Sequence, residues 1–231
     1  MSILYIVGTP IGNLEDITLR AIRVLGEADL ILCEDTRVTR NLLDRHGIKR
    51  PMLSYHAHSK LSRVDEVIAM LREGKTLALV SDAGTPGISD PGSELVRAVR
   101  AECQTEIESG EIKIESVPGP SALAAAISIA GVSGGDFLFL GFLPHKKGRE
   151  TLFREIAASE RNVIFYESPH RIMKTLISLR KYLGESGNVH VCRELTKIFE
   201  QVVSGSPEKV ISYFEKNDDK LRGEIVVIVT K

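Results

Sequence analysis

Tryptophan is absent from the 231 residues, cysteine occurs three times, and neither sign of charge prevails: 30 Lys and Arg stand against 31 Asp and Glu, a net charge of -1. That balance excludes a chain held to nucleic acid by overall basicity, and leaves local basic surfaces as the only electrostatic route to such a partner. Cys33, Cys103 and Cys192 are too few, odd in number and too far apart for a disulfide scaffold. A reducing compartment, the cytoplasm, is expected. No run of about 18 apolar residues occurs, as a membrane span would need, and the first residues lack the basic segment of a signal peptide. Neither membrane insertion nor export is expected. There is no C-x-x-C, and His56 and His58 have no Cys or His partner at zinc spacing; they read as a polar strand end, and no metal is expected. No G-x-G-x-x-G follows a strand. The tripeptide Gly74, Lys75, Thr76 has Ala69 where a P-loop needs glycine and leads into a strand instead of a helix.

What is present is a chain 43% hydrophobic, long enough for one large or two modest domains. Short runs rich in Val, Ile and Leu lie at 3–7, 30–33, 77–80, 137–140, 163–166, 189–192 and 225–229, with a weaker alternating run at 112–117. Continuous apolarity predicts strands of a parallel sheet covered on both faces. Helical spacing occupies 19–28, 39–46, 61–72, 93–103, 122–130, 149–158, 171–182 and 207–214. Strands alternating with helices predict an α/β protein. The breaker cluster Pro118, Gly119, Pro120 divides it into two domains, 1–117 and 118–231.

In α/β sheets, functional loops gather at the carboxyl ends of strands, and four segments have that form. YIVGTPIGN (5–13) leaves a strand into Gly and Pro. VSDAGTPGISDPG (80–92) carries three Gly, two Asp, two Ser and a Thr in thirteen residues. Glycine lets backbone approach a ligand, proline stiffens the loop, and Asp82 and Asp90 suit ribose or amine donors; Asx turns and a helix cap are the structural alternative. In VPGPSA (117–122), Ser121 is placed to cap the following helix. YESPHR (166–171) brings a carboxylate, a hydroxyl, an imidazole and a guanidinium to one strand end, although a lone His170 is more often a surface helix residue than a catalyst.

Two further polar clusters follow strands. Glu34, Asp35, Thr36 and Arg37, with Arg40 and Arg45 beyond, suit a substrate cleft, and structural ion pairing explains them almost as well. Arg193, Glu194, Lys197 and Glu200 in RELTKIFE read as a solvated helix face with i,i+3 pairs. Two basic groups, Arg37, Arg40, Arg45, Lys49 and Arg50, and His145, Lys146, Lys147 and Arg149, are candidate phosphate-binding faces, with a solvated surface as the alternative.

Taken together, VGTPIGNLEDIT, CEDTR, SDAGTPGISDP, VPGPSA, FLGFLP, YESPHR, RELTK and RGEIVVIV, in this order across residues 3–229, resemble the ribosomal RNA methyltransferases of the tetrapyrrole methylase superfamily, the class III type dependent on S-adenosyl-L-methionine. The resemblance implies methyl transfer to the ribose 2′-hydroxyl of a decoding-centre cytidine in 16S rRNA, in the small ribosomal subunit. It implies two α/β domains with the cofactor in the interdomain cleft, and a homodimer. Carried onto this sequence, it places Gly8, Thr9, Pro10, Asp82, Ala83, Gly84, Thr85, Ser121, Ala122, Tyr166, Glu194 and Gly223 about the cofactor. For a proton acceptor it leaves Glu34, Asp35, Glu167 and Glu200 open, and for RNA it leaves Arg37, Arg40, Lys146, Lys147, Arg149, His170, Arg171 and Lys197.

Many longer family members carry an additional C-terminal helical module, whereas this sequence stops at Lys231. Within the superfamily the alternative is a methyltransferase for a tetrapyrrole or a diphthamide precursor, against which YESPHR and RELTK argue. From another class comes a non-catalytic cofactor- and RNA-binding ribosome-assembly factor. Loop placement alone would support no more than a nucleotide-binding α/β domain.

Overall fold

A computed structural model describes residues 1–55, 61–133, 135–184 and 187–231, with the side chains of 61 and 62 left aside. His56 and His58 therefore lie outside the described residues. The chain divides into two compact units, Met1–Ser121 and Ala122–Lys231, so residues 118–121 group with the first.

The first unit comprises β1 (Ser2–Val7), α1 (Leu19–Glu27), β2 (Leu30–Cys33), α2 (Thr36–Arg45), β3 (Met52–Ser54), α3 (Leu61–Arg72), β4 (Leu77–Leu79), α4 (Gly92–Glu102), α5 (Gln104–Glu108) and β5 (Ile112–Val117). Its strands form one parallel sheet in the order β3-β2-β4-β1-β5. Continuous apolarity is explained by where successive side chains go. Ile31, Cys33, Ala78 and Val80 pack with Val24 and Leu25 of α1 and Leu42 and Leu43 of α2. Leu32, Leu77 and Leu79 turn to the other face, against Val67 and Leu71 of α3 and Leu95 and Val99 of α4. Each such fully buried leucine stabilises the sheet by about 1.5–3 kcal/mol. Helix α1 starts where Thr18 accepts a hydrogen bond from the Ala21 N–H at 3.0 Å, a side-chain cap of the usual kind.

The second unit comprises α6 (Ala122–Ala130), β6 (Phe137–Phe142), α7 (Arg149–Ala158), β7 (Asn162–Glu167), α8 (Ile172–Leu183), β8 (Asn188–Arg193), β9 (Gln201–Gly205), α9 (Pro207–Glu215) and β10 (Ile225–Thr230). Its sheet runs β6-β7-β10-β8-β9. Here the expectation of parallel strands is corrected: β6 and β7 are parallel, but β10 lies antiparallel to β7 and β8, and β8 antiparallel to β9. Ile225, Val227 and Val229 enter the core beneath α7, α8 and α9, while Val226 and Ile228 are also buried, and α6 packs on β10. Continuous apolarity thus reports burial on both faces and carries no information on strand direction.

Smaller differences have local causes. Strands β3 and β9 and helix α5 are too short, or too polar, to show a period. Helix α2 begins three residues before its apolar spacing does, because Asp35 accepts a hydrogen bond from the Arg37 N–H at 2.8 Å and so caps it. Of RELTKIFE, Arg193 ends β8 and residues 194–200 form turns leading to β9 instead of a helix. Glu194 at φ 52 and Thr196 at φ 65 adopt left-handed backbone that a helix excludes. Among the described residues, no helix is long and apolar enough to cross a membrane.

Candidate functional site

In the first unit, the loops that leave β1, β4 and β5 are joined by backbone. The Gly8 N–H donates to the Val117 carbonyl at 3.0 Å, and Thr9 and Gly84 exchange two hydrogen bonds at 2.9 and 3.1 Å. Thr9 Oγ1 lies 3.2 Å from the Ser81 carbonyl oxygen, and Thr85 Oγ1 donates to the Pro120 carbonyl at 3.1 Å. A Cβ on Gly8 would stand 2.8 Å from the Gly119 Cα, and one on Gly119 would stand 2.8 Å from the Gly8 carbonyl oxygen. Only glycine at both positions permits this approach. Gly84 at φ 83 needs glycine for its backbone conformation as well. Gly8, Thr9, Pro10, Asp82, Ala83, Gly84, Thr85 and Ser121 are thereby drawn to the carboxyl edge of three adjacent strands.

The two aspartates of the long loop divide the work. Asp90 accepts from the Gly87 N–H at 2.8 Å and the Gly92 N–H at 2.7 Å, so it organises the loop internally. Asp82 is exposed. Its Oδ1 accepts from the Asp35 N–H at 3.0 Å, and its other oxygen has no partner among the described residues. A carboxylate acceptor beside exposed backbone between glycine-bearing loops suits a ligand with an amine and ribose hydroxyls, the functional groups of S-adenosylmethionine. A cavity of ≈ 60 Å³ near this edge is lined by Thr9, Leu14, Val38, Thr39, Leu42 and Asp82. It holds a few atoms, not a nucleoside.

The four candidate proton acceptors separate sharply. Glu34 is half-buried, and its Oε1 accepts from the Asp82 N–H at 3.3 Å. Burial pushes its carboxyl above the ordinary range; that hydrogen bond opposes the shift, and the charges of Asp82 and Asp90 add to it. Asp35 is held at about 2, chiefly by the Arg37 side chain, and serves as the α2 cap. Glu200 is exposed and accepts from the Thr196 N–H at 2.6 Å. Glu167 is inaccessible: its side chain has no exposed surface, and Arg149 and Arg171 lie 3.1 and 2.7 Å from its oxygens. No thiol competes as a nucleophile, since burial raises Cys33 and Cys103 and pushes Cys192 up to about 12.

In the second unit, Tyr166, Glu194 and Gly223 lie at one end of the sheet, because β10 pairs Val226 with Tyr166 and Ile225 with Arg193. Glu194 occupies the space a side chain at position 223 would need: a Cβ there would fall 1.7 Å from Glu194 Oε1. Lys197 pairs with Glu194 at 2.9 Å and with Glu224. Ala122 opens α6. Of the RNA candidates, Arg37, Arg40, Lys146, Lys147 and His170 are exposed, whereas Arg149 and Arg171 turn inward to Glu167 with side chains 15% and 17% exposed. Sequence reasoning missed Thr175, fully buried, whose hydroxyl donates to Glu167 at 2.6 Å. Its one signal is a position one helical turn after Arg171. It also missed Thr39, a buried residue that lines the cavity.

The sequence profile of the tetrapyrrole (corrin/porphyrin) methylases matches residues 3–210. The chain is 45% identical over 230 residues to a Thermotoga maritima protein named ribosomal RNA small subunit methyltransferase I, covering 100% of this chain and 99% of that one. A protein of the same name from Synechocystis sp. is 45% identical over 99% of this chain and 79% of its own length. Among solved structures, uroporphyrin-III C-methyl transferase from Thermus thermophilus, complexed with S-adenyl homocysteine, superposes with a TM-score of 0.64 at 19% identity, covering 99% of this chain and 97% of the other. That last likeness bears on the fold.

Proposed function

The chain belongs to the tetrapyrrole methylase family, among the proteins named ribosomal RNA small subunit methyltransferase I, and on that premise we propose that it methylates the ribose 2′-hydroxyl of a decoding-centre cytidine in 16S rRNA with S-adenosylmethionine. The observation that carries the reading is the match along the whole chain to proteins named for small-subunit rRNA. The three joined loops agree with it, since their donor set fits the cofactor.

When bound, S-adenosylmethionine supplies an electrophilic methyl on a sulfonium centre. The protein's share is positioning, which in well-oriented systems reaches effective molarities of about 10^8 M. Gly8, Thr9, Pro10, Asp82, Ala83, Gly84, Thr85 and Ser121 of the first unit hold the cofactor. Glu34 takes the hydroxyl proton. Burial and the like charges of Asp82 and Asp90 raise its carboxyl above the ordinary range, and the Glu200 carboxylate is engaged by the Thr196 N–H. Asp35 and Glu167 are committed to Arg37 and to the buried arginines. Arg37, Arg40, Lys146 and Lys147 supply the local positive charge that the net charge of -1 does not, whereas Lys197 is held by Glu194 and Glu224. The substrate is the small subunit, the enzyme a homodimer, and the compartment the cytoplasm.

The test is to incubate the chain with methyl-labelled S-adenosylmethionine and small subunits lacking the modification, and to map the label. Label on one cytidine ribose is the expected result. Cofactor binding with no label on rRNA would overturn the reading.

A further inference from the structure

Arg149, Glu167, Arg171 and Thr175 form a closed group that the proposed chemistry does not use. Glu167 ends β7, and three hydrogen bonds and a further ion pair occupy its two oxygens. Oε1 accepts from the Ser168 N–H at 2.8 Å and is ion-paired with Arg171 Nη2 at 2.7 Å. Oε2 receives Arg149 Nη2 at 3.1 Å and Thr175 Oγ1 at 2.6 Å. A buried carboxylate so occupied is poorly placed to meet a substrate proton.

Stability alone does not explain the group. A buried ion set is commonly no more stabilising than apolar residues of the same shape, and here two guanidinium groups share one carboxylate while Arg171 Nε is buried with no partner. The remaining donors supply the reason. Arg149 Nη1 donates to the Pro144 carbonyl at 3.0 Å, and Arg171 Nη1 donates to the Leu143 carbonyl at 3.0 Å. The two gripped carbonyls are consecutive, and the next three residues, His145, Lys146 and Lys147, are all exposed. Gly148 at φ 81 then turns the chain into α7, where Arg149 returns to the carboxylate. A four-residue basic excursion, 145–148, is thus tied at its entry by both arginines and at its exit by one of them.

We propose that Glu167 is a positioning residue, which by holding Arg149 and Arg171 against the Leu143 and Pro144 carbonyls presents Lys146 and Lys147 as a preformed ledge for RNA phosphates. The ledge's ligand rests on the rRNA reading above; the clamp does not. Preforming the loop spares the ordering cost that a free loop meets on binding. The role differs from charge supply, because Arg149 and Arg171 act through backbone and never face the phosphate.

Two measurements test this. In Arg171→Lys, which keeps the charge but not the forked grip on two acceptors, amide exchange at Arg149 and Leu152, whose N–H groups close the loop onto the Lys146 and Gly148 carbonyls at 3.3 and 3.0 Å, is expected to quicken at least tenfold, with exchange in the β10 core unchanged. The same variant is expected to raise KM for small subunits about tenfold while leaving KM for S-adenosylmethionine and kcat within about twofold. Replacing Lys146 and Lys147 by alanine is expected to flatten the salt dependence of RNA binding by about 1.4 in log K per log salt, from two contacts at roughly 0.7 each. In that background Arg171→Lys adds nothing to KM. Glu167→Gln follows the same pattern more strongly if it folds, and Arg149→Lys supplies a second mild variant. Unchanged exchange at Arg149 and Leu152 would overturn the clamp. An equal rise in KM in both backgrounds, or parallel changes in both KM values and kcat, would overturn the ledge. A wild-type chain that methylates no rRNA would remove the ligand assignment, and the exchange result would still decide the clamp.

Discussion

The two units reach an ordered strand edge by opposite means. In the first, the loops after β1, β4 and β5 are fastened through main-chain atoms, with Gly8 and Gly119 in direct backbone contact and Thr9 bridged to Gly84. In the second, the loop after β6 is fastened by side chains, through one buried carboxylate and two arginines. The difference teaches that the first edge is sensitive to volume and the second to charge.

Glu167→Gln gives the largest expected effect. It leaves two largely buried guanidiniums sharing a neutral amide, and removal of one partner from such a set costs about 3–5 kcal/mol, read by urea unfolding. A loss below about 1 kcal/mol would erase the contrast between the units.

Glu34→Gln comes next, with kcat falling about 100-fold, equivalent to about 2.7 kcal/mol. The pH profile sharpens it. Because the folded carboxyl titrates above the ordinary range, wild-type activity rises with pH through that raised value, and the variant loses this limb. The stability sign is opposite. Folded protein favours protonated Glu34, so that contribution is present at low pH and is lost as pH rises through the folded pKa.

Gly8→Ala follows, at about 2 kcal/mol, because the added methyl meets backbone that cannot rotate away. Its cost is expected to be the same at low and high salt, and a strong salt dependence would break the volume-against-charge distinction. Smallest is Arg23→Ala in the first unit. Its partner Glu27 and the arginine are 61% and 57% exposed, and a change below about 0.5 kcal/mol is expected in thermal unfolding.

Much of the fold was legible because burial on both faces leaves a run such as Ile225, Val226, Val227, Ile228, Val229 with no polar break. Strand direction was not legible, since the same run serves parallel β4 and antiparallel β10. The four loops could be found from their glycines and prolines, but which acid does what could not. Glu34, Asp35 and Glu167 are alike as letters, and they part only when the fold sets Asp82 beside one, Arg37 beside another and two arginines around the third. Arg149 and Arg171 counted as surface charge for the same reason. Their partners are 18 and 4 residues away in sequence, and no spacing rule connects the first pair.

The contact between Gly8 and Gly119 has an evolutionary corollary. Each residue is already the smallest available, and what each would strike is the other's main chain. A substitution at one therefore has no rescuing substitution at the other. Two positions that depend on each other this completely should vary neither singly nor together, and a search for correlated changes among homologues would pass over the pair in silence.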